Sequence, residues 1–113
     1  MIVDDEAPLR DFLRIVLEDL GHRVVGAING LHALTLAAAE QPDLVISDVM
    51  MPLMGGVELT RRLKAGEAGD AAVPVILMSA AGPWSTQTAG ADAYIDKPFD
   101  LGSIEALVAR WLS

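Results

Sequence analysis

The sequence predicts an α/β protein in which a doubly wound, five-stranded parallel sheet carries helices on both faces. Three observations predict it. Short apolar runs alternate with amphipathic segments five times along 113 residues. The first amphipathic segment sets Leu9, Phe12, Leu13, Val16, Leu17 and Leu20 at the spacing of one helical face. Residues 44–47 are mostly apolar without alternation, as in a strand covered on both sides.

Each element follows from local chemistry. Met1, Ile2 and Val3 form a short first strand. Pro8 suits the first turn of the helix that follows, because the N–H it lacks would be unbonded there, and Gly21 suits the stop. Residues 23–27 read as a second strand. Asn29 and Gly30 turn the chain, and residues 31–40 form a helix that ends before Pro42. After the third strand (44–47), residues 57–64 form a helix with Val57, Leu59 and Leu63 on its apolar side. Residues 65–72 are a small-residue loop. Pro74 introduces the fourth strand (75–78), Tyr94 and Ile95 mark the fifth, and residues 101–112 form the last helix. The connection between the fourth and fifth strands carries Gly82, Pro83 and Gly90 with little apolar periodicity, so its helix is expected to be short or irregular.

Composition narrows the function. The length suits a single domain spanning 1–113. Sixteen acidic against eight basic residues give a formal charge of −8, which argues against direct nucleic-acid binding or a polybasic membrane contact. With no cysteine, thiolate metal sites, disulfides and cysteine nucleophiles are excluded. No run approaches the roughly 18 apolar residues of a membrane span. Asp4, Asp5 and Glu6 follow the start at once, so no secretory signal is visible and a cytoplasmic location is expected.

In parallel sheets, ligands bind beyond the carboxyl ends of the strands. Asp4 and Asp5 follow the first strand and Asp48 ends the third. If these strands are neighbours, three carboxylates converge and need a positive partner. Two are available: a hard divalent cation, Mg²⁺ or Mn²⁺, and Lys97 after the fifth strand. Ser79 ends the fourth strand and faces the same place. A carboxylate nucleophile, a lysine and a metal suit phosphoryl transfer onto an aspartate. His22 and His32 lack partners at metal-ligand spacing, and Met50, Met51 and Met54 read as loop packing.

IVDDE (2–6), ISDVMMPLMGG (46–56), ILMSA (76–80) and GADAYIDKPF (90–99) occur in this order across nearly the whole chain. With these four stretches the sequence resembles a response-regulator receiver domain of two-component signalling, of the chemotaxis-regulator type. The resemblance implies a flavodoxin-like fold with strand order 2-1-3-4-5. It implies that Asp48 accepts a phosphoryl group from a histidine kinase or phosphotransfer protein. Mg²⁺ would be bound by Asp5, Asp48 and the main-chain carbonyl of Met50, with Asp4 acting through water. Lys97 would contact the phosphoryl group, Ser79 and Tyr94 would form the switch pair, and Lys97–Pro98 would be a cis peptide. Such a protein is a switch and not a turnover enzyme. A homodimer through the last strand and helix is one option this leaves open.

Four departures from the family's pattern stand out. Only three residues precede Asp4, so the first strand is clipped; truncation at the N-terminus and excision from a larger protein both fit. Gly55 stands where Asp or Asn usually caps the third helix, a difference of a few tenths of a kcal/mol. The connection from Ser79 to Lys97 is shorter than usual, which touches the output face. Met50 and Ala81 are apolar where polar residues usually tune phosphoryl lifetime, so slow self-dephosphorylation is expected. Two rival functions remain: a docking module that needs no phosphate, and a small Mg²⁺-dependent phosphohydrolase.

Overall fold

A computed structural model describes residues 1–80 and 90–112. Five parallel strands form one sheet in the order β2-β1-β3-β4-β5. They are β1 (Ile2–Val3), β2 (Gly26–Ala27), β3 (Val45–Asp48), β4 (Val75–Ser79) and β5 (Ala93–Asp96). Four helices accompany them: α1 (Ala7–Asp19), α2 (Gly30–Glu40), α3 (Gly56–Lys64) and α4 (Leu101–Leu112). The expected irregular helix between the fourth and fifth strands falls largely on 81–89, outside the described residues.

Strand alternation divides the core into two layers. Val3, Val45, Val75 and Leu77 pack with Ala33, Ala37, Leu59 and Leu63 of α2 and α3. Ile2, Ile46, Ile76, Met78 and Ile95 pack with Leu13, Val16 and Leu17 of α1 and Ile104 and Val108 of α4. Asp4 and Asp48 continue the rows that run through Ile2 and Ile46, so both aim at the α1 side of the sheet.

Two expectations need correction. Residues 23–27 do not form a full strand, because β1 offers only Ile2 and Val3 as ladder partners and β2 shrinks to Gly26–Ala27. On α1, Leu13, Val16 and Leu17 are buried, but Phe12 is 41% exposed and Leu20 is 43% exposed. The stripe is wider than the surface the sheet presents to it, and Phe12 faces a surface groove instead.

Helix ends are closed by named residues. Gly21, at φ +92°, donates to Glu18 O while His22 N–H reaches Leu17 O, which satisfies the last carbonyls of α1. The Asn29 side chain accepts from His32 N–H at 2.8 Å and starts α2. Gly55 stands at the start of α3 with no side-chain cap, as the sequence implies.

An acidic centre at the carboxyl end of the sheet

The strand order reverses direction between β1 and β3, and the crevice at such a point is where α/β sheets bind ligands. β1 delivers Asp4 and Asp5 to one side of it, and β3 delivers Asp48 to the other. Carboxylate oxygens of all three lie within 4.8 Å of one another. Lys97 Nζ lies 3.0 Å from Asp48 Oδ1 and 3.5 Å from Asp4 Oδ2. The Lys97 main chain is tied in as well, its N–H donating to Ser79 O at 2.9 Å. The Lys97–Pro98 peptide is cis.

Asp4 is fully buried. Its Oδ1 accepts the Glu6 N–H at 2.8 Å, whereas Oδ2 is buried without a hydrogen-bond partner among the described residues. Burial pushes the Asp4 carboxyl above the usual carboxylate range. The Glu6 N–H and Lys97 pull it back only in part, and the charges of Asp48 and Asp5 add to the rise. Burial lowers the Lys97 ammonium, but its hydrogen bond to Asp48 and the charges of Asp48 and Asp4 outweigh that, so it ends above its ordinary value.

Three carboxylates against one ammonium leave the centre short of two positive charges. An all-oxygen donor set, a buried carboxylate oxygen that accepts no hydrogen bond among the described residues, and this deficit fit one hard divalent cation. The residues therefore form an acidic pocket suited to a metal.

The other expected site residues lie around this cluster. Ser79 is buried at the end of β4, in register with Asp96. Tyr94 of β5 pairs with Leu77 of β4 and is 43% exposed. Met50 follows Asp48 by two residues, with its side chain in solvent. Ala81 lies outside the described residues.

Three features were not read from the sequence. Arg10 Nη1 donates to the Asp4 carbonyl at 2.6 Å. Gly56 lets α3 begin against the Asp48 carbonyl, where a Cβ would stand 2.2 Å from that oxygen. A groove lined by Glu6, Pro8, Leu9, Phe12, Pro98 and Phe99 opens beside Lys97. The only sequence signal for the groove is that Phe12 widens the α1 stripe beyond what one sheet face covers.

A doubly wound sheet with a carboxylate–lysine centre at its reversal point defines a class of domains suited to binding phosphate and divalent cations. Comparison narrows the class: the family described as the response regulator receiver domain matches residues 1–109, and the chain belongs to that family. The phosphate regulon transcriptional regulatory protein PhoB of Pseudomonas aeruginosa is 40% identical over 114 residues, covering 97% of this chain and 48% of its own length. The KDP operon transcriptional regulatory protein KdpE of Escherichia coli is 41% identical over 110 residues, covering 94% of this chain and 47% of its own. The chain thus spans about half the length of these relatives. Chemotaxis protein CheY4 of Vibrio cholerae superposes with a TM-score of 0.89 at 27% identity, over 98% of this chain and 95% of its own. The signal receiver domain of a signal transduction histidine kinase from Syntrophus aciditrophicus gives 0.91 at 33% identity, over 98% and 86%. Receiver domains are signalling switches that accept phosphoryl groups and interact with histidine kinases or phosphotransfer proteins. Among the described residues, no helix is long and apolar enough to cross a membrane.

Proposed function

We propose that this chain is a single receiver domain in which Asp48 takes a phosphoryl group from a phosphohistidine in a Mg²⁺-dependent reaction. The observation that carries this reading is the Lys97 ammonium, 3.0 Å from Asp48 and 3.5 Å from Asp4 within the three-carboxylate cluster. In the reaction, a free Asp48 oxygen attacks phosphorus. A P–O bond forms as the donor's P–N bond breaks, and the electron pair returns to the imidazole. Lys97 releases part of its hold on Asp48 and turns its charge to the phosphoryl oxygens. Asp5, Asp48 and the Met50 carbonyl would hold the cation, with Asp4 behind them, and the bound ion supplies charge neutralisation to the crowded carboxylates and the incoming phosphoryl group. The Ser79 hydroxyl and the Tyr94 ring then shift toward the modified site, moving the domain between two states. The groove of Pro8, Leu9, Phe12, Pro98 and Phe99 supports the partner side of this reading, since it offers apolar area next to Lys97.

Incubation with Mg²⁺ and a small acyl phosphate, followed by intact-mass measurement, tests it. One stable phosphoryl adduct is expected, and none in Asp48→Asn. No adduct on the parent would favour the phosphate-independent docking module. Steady release of phosphate from a phosphoester would favour the phosphohydrolase.

The adduct should also be long-lived. The Met50 side chain is apolar and in solvent, so it cannot orient a water for attack on the phosphoryl group. The double variant Met50→Asn, Ala81→Glu is expected to lose its phosphoryl group roughly tenfold faster than the parent. Equal decay rates, followed by mass over time, would count against this account.

A further inference from the structure

We propose that Arg10 is a positioning residue for the acidic centre: through the Asp4 carbonyl it sets the peptide from which Asp5 projects toward a divalent cation. The inference rests on the Mg²⁺ reading above and concerns a residue that makes no contact with the reacting atoms.

The sheet runs out just past Asp4. Ile2 and Val3 pair with Gly26 and Ala27, and Asp4 N–H reaches one step further, to Ala27 O at 3.1 Å. In a parallel ladder the Asp4 carbonyl would next accept from the main chain of residue 29. The chain has left the sheet by then. Ile28 N–H goes to His32 Nδ1, and Asn29 caps α2. Asp4 O is therefore the first acceptor the shortened β2 fails to serve. Arg10 Nη1 takes the place of the missing strand, at 2.6 Å.

That carbonyl belongs to the Asp4–Asp5 peptide. Asp4 is held by three hydrogen bonds, its N–H by Ala27, its carboxylate by Glu6 N–H and its carbonyl by Arg10, besides the Lys97 ion pair on its carboxylate. Asp5 is exposed and makes no hydrogen bond of its own among the described residues, so the peptide that Arg10 holds is what anchors the main chain from which its side chain departs. Both arginines pass over Gly26, where a Cβ would be in ordinary contact with Arg10 Cδ at 3.8 Å and crowd only Arg14 Nη2, at 3.1 Å. Arg14, one turn further along α1, makes a similar bond to Val24 O at 3.2 Å, two residues before β2 begins. Among the described residues neither arginine pairs with a carboxylate, so both act here as main-chain donors.

Charge and positioning predict opposite signs. Arg10 is a cation close to a cation site, so electrostatics alone would make Arg10→Met bind Mg²⁺ more tightly. Positioning makes it bind more weakly. We expect calorimetric titration of the metal-free protein with MgCl₂ to show roughly tenfold weaker binding in Arg10→Met. Arg14→Met, which loosens the same helix without touching the Asp4 carbonyl, should bind as the parent does. In NMR spectra of the metal-free proteins, the Asp5 amide should shift or broaden in Arg10→Met and stay in place in Arg14→Met. Thermal melts of both variants check that they remain folded.

Unchanged or tighter Mg²⁺ binding in a folded Arg10→Met overturns the proposal. So does an equal loss in Arg14→Met, which would mean general loosening of α1. If the parent itself binds no Mg²⁺, the cation reading of the site fails instead. The positioning role is then decided by the Asp5 amide alone, and an unmoved signal in Arg10→Met sinks it.

Discussion

Gly56→Ala is expected to destabilise the domain by about 3 kcal/mol and to abolish acceptance of a phosphoryl group. A Cβ on residue 56 would stand 2.2 Å from the Asp48 carbonyl oxygen, and 3.0 Å from both its carbon and Leu77 Cδ2. These are main-chain and fully buried atoms, so no flexible side chain can swing aside. Relief requires α3 to back away from β3, which breaks the Gly56 N–H bond to Val49 O and drags Asp48 out of line with Lys97. For a domain near this size, such a loss lowers the melting temperature by roughly 12–24 °C. Gly21→Ala is the control. Gly21 has open space around its Cβ position but φ of +92°, so the variant carries only the left-handed backbone cost of about 1 kcal/mol. Denaturant melts of both variants, with intact-mass assay of the phosphoryl adduct, check this. A Gly56→Ala variant as stable as Gly21→Ala would show that the approach of α3 to Asp48 is not a constraint.

Asp4→Asn is expected to change stability in opposite directions with and without a divalent cation. The folded-state carboxyl of Asp4 is raised by burial and by its acidic neighbours. Below the ordinary carboxylate range it is protonated whether the chain is folded or not, and no penalty applies. As pH rises through its elevated folded value, the unfolded chain releases the proton more readily, and stability is lost. The chelator-treated parent should therefore lose stability from about pH 4 upward toward neutrality, as far as Asp4 contributes. Asp4→Asn should remove that loss and melt higher than the chelator-treated parent at pH 7. Saturating Mg²⁺ should reverse the order. At a hundredfold excess over its dissociation constant, a ligand adds about 2.7 kcal/mol, and the variant has lost one of the acids that attract the cation. Melting curves across pH, with chelator and with MgCl₂, provide the measurement. A variant that tracks the parent under both conditions would mean the three acids do not share one site.

The fold was legible because its chemistry is local. Strand runs two to five residues long, a helix opened by Pro8 and closed by Gly21, and small apolar residues throughout leave little choice but a helix-covered parallel sheet. The acids were legible for a similar reason: Asp4, Asp5 and Asp48 each follow an apolar run, and a run that ends in a carboxylate delivers it to the sheet's edge. Phe12 was misread because periodicity records which side chains share a face, and not how much surface the neighbouring layer offers. Residues 23–27 were read as a full strand because an edge strand's length is set by its partner, and here the partner offers two residues.

The sequence by itself determined the composition of the centre, three carboxylates and a lysine, together with the order of strands and helices that carries them. Tertiary structure decided which of these groups meet. Lys97 reaches Asp48 and Asp4 only because β5 and β3 flank β4, and its main chain hangs from Ser79. Arg10 became part of the site only because β2 stops at Ala27 and leaves a carbonyl open. Bonds from side chains to the main chain depend on where a neighbouring strand ends, and that is a property of the assembled sheet which no local pattern of residues encodes.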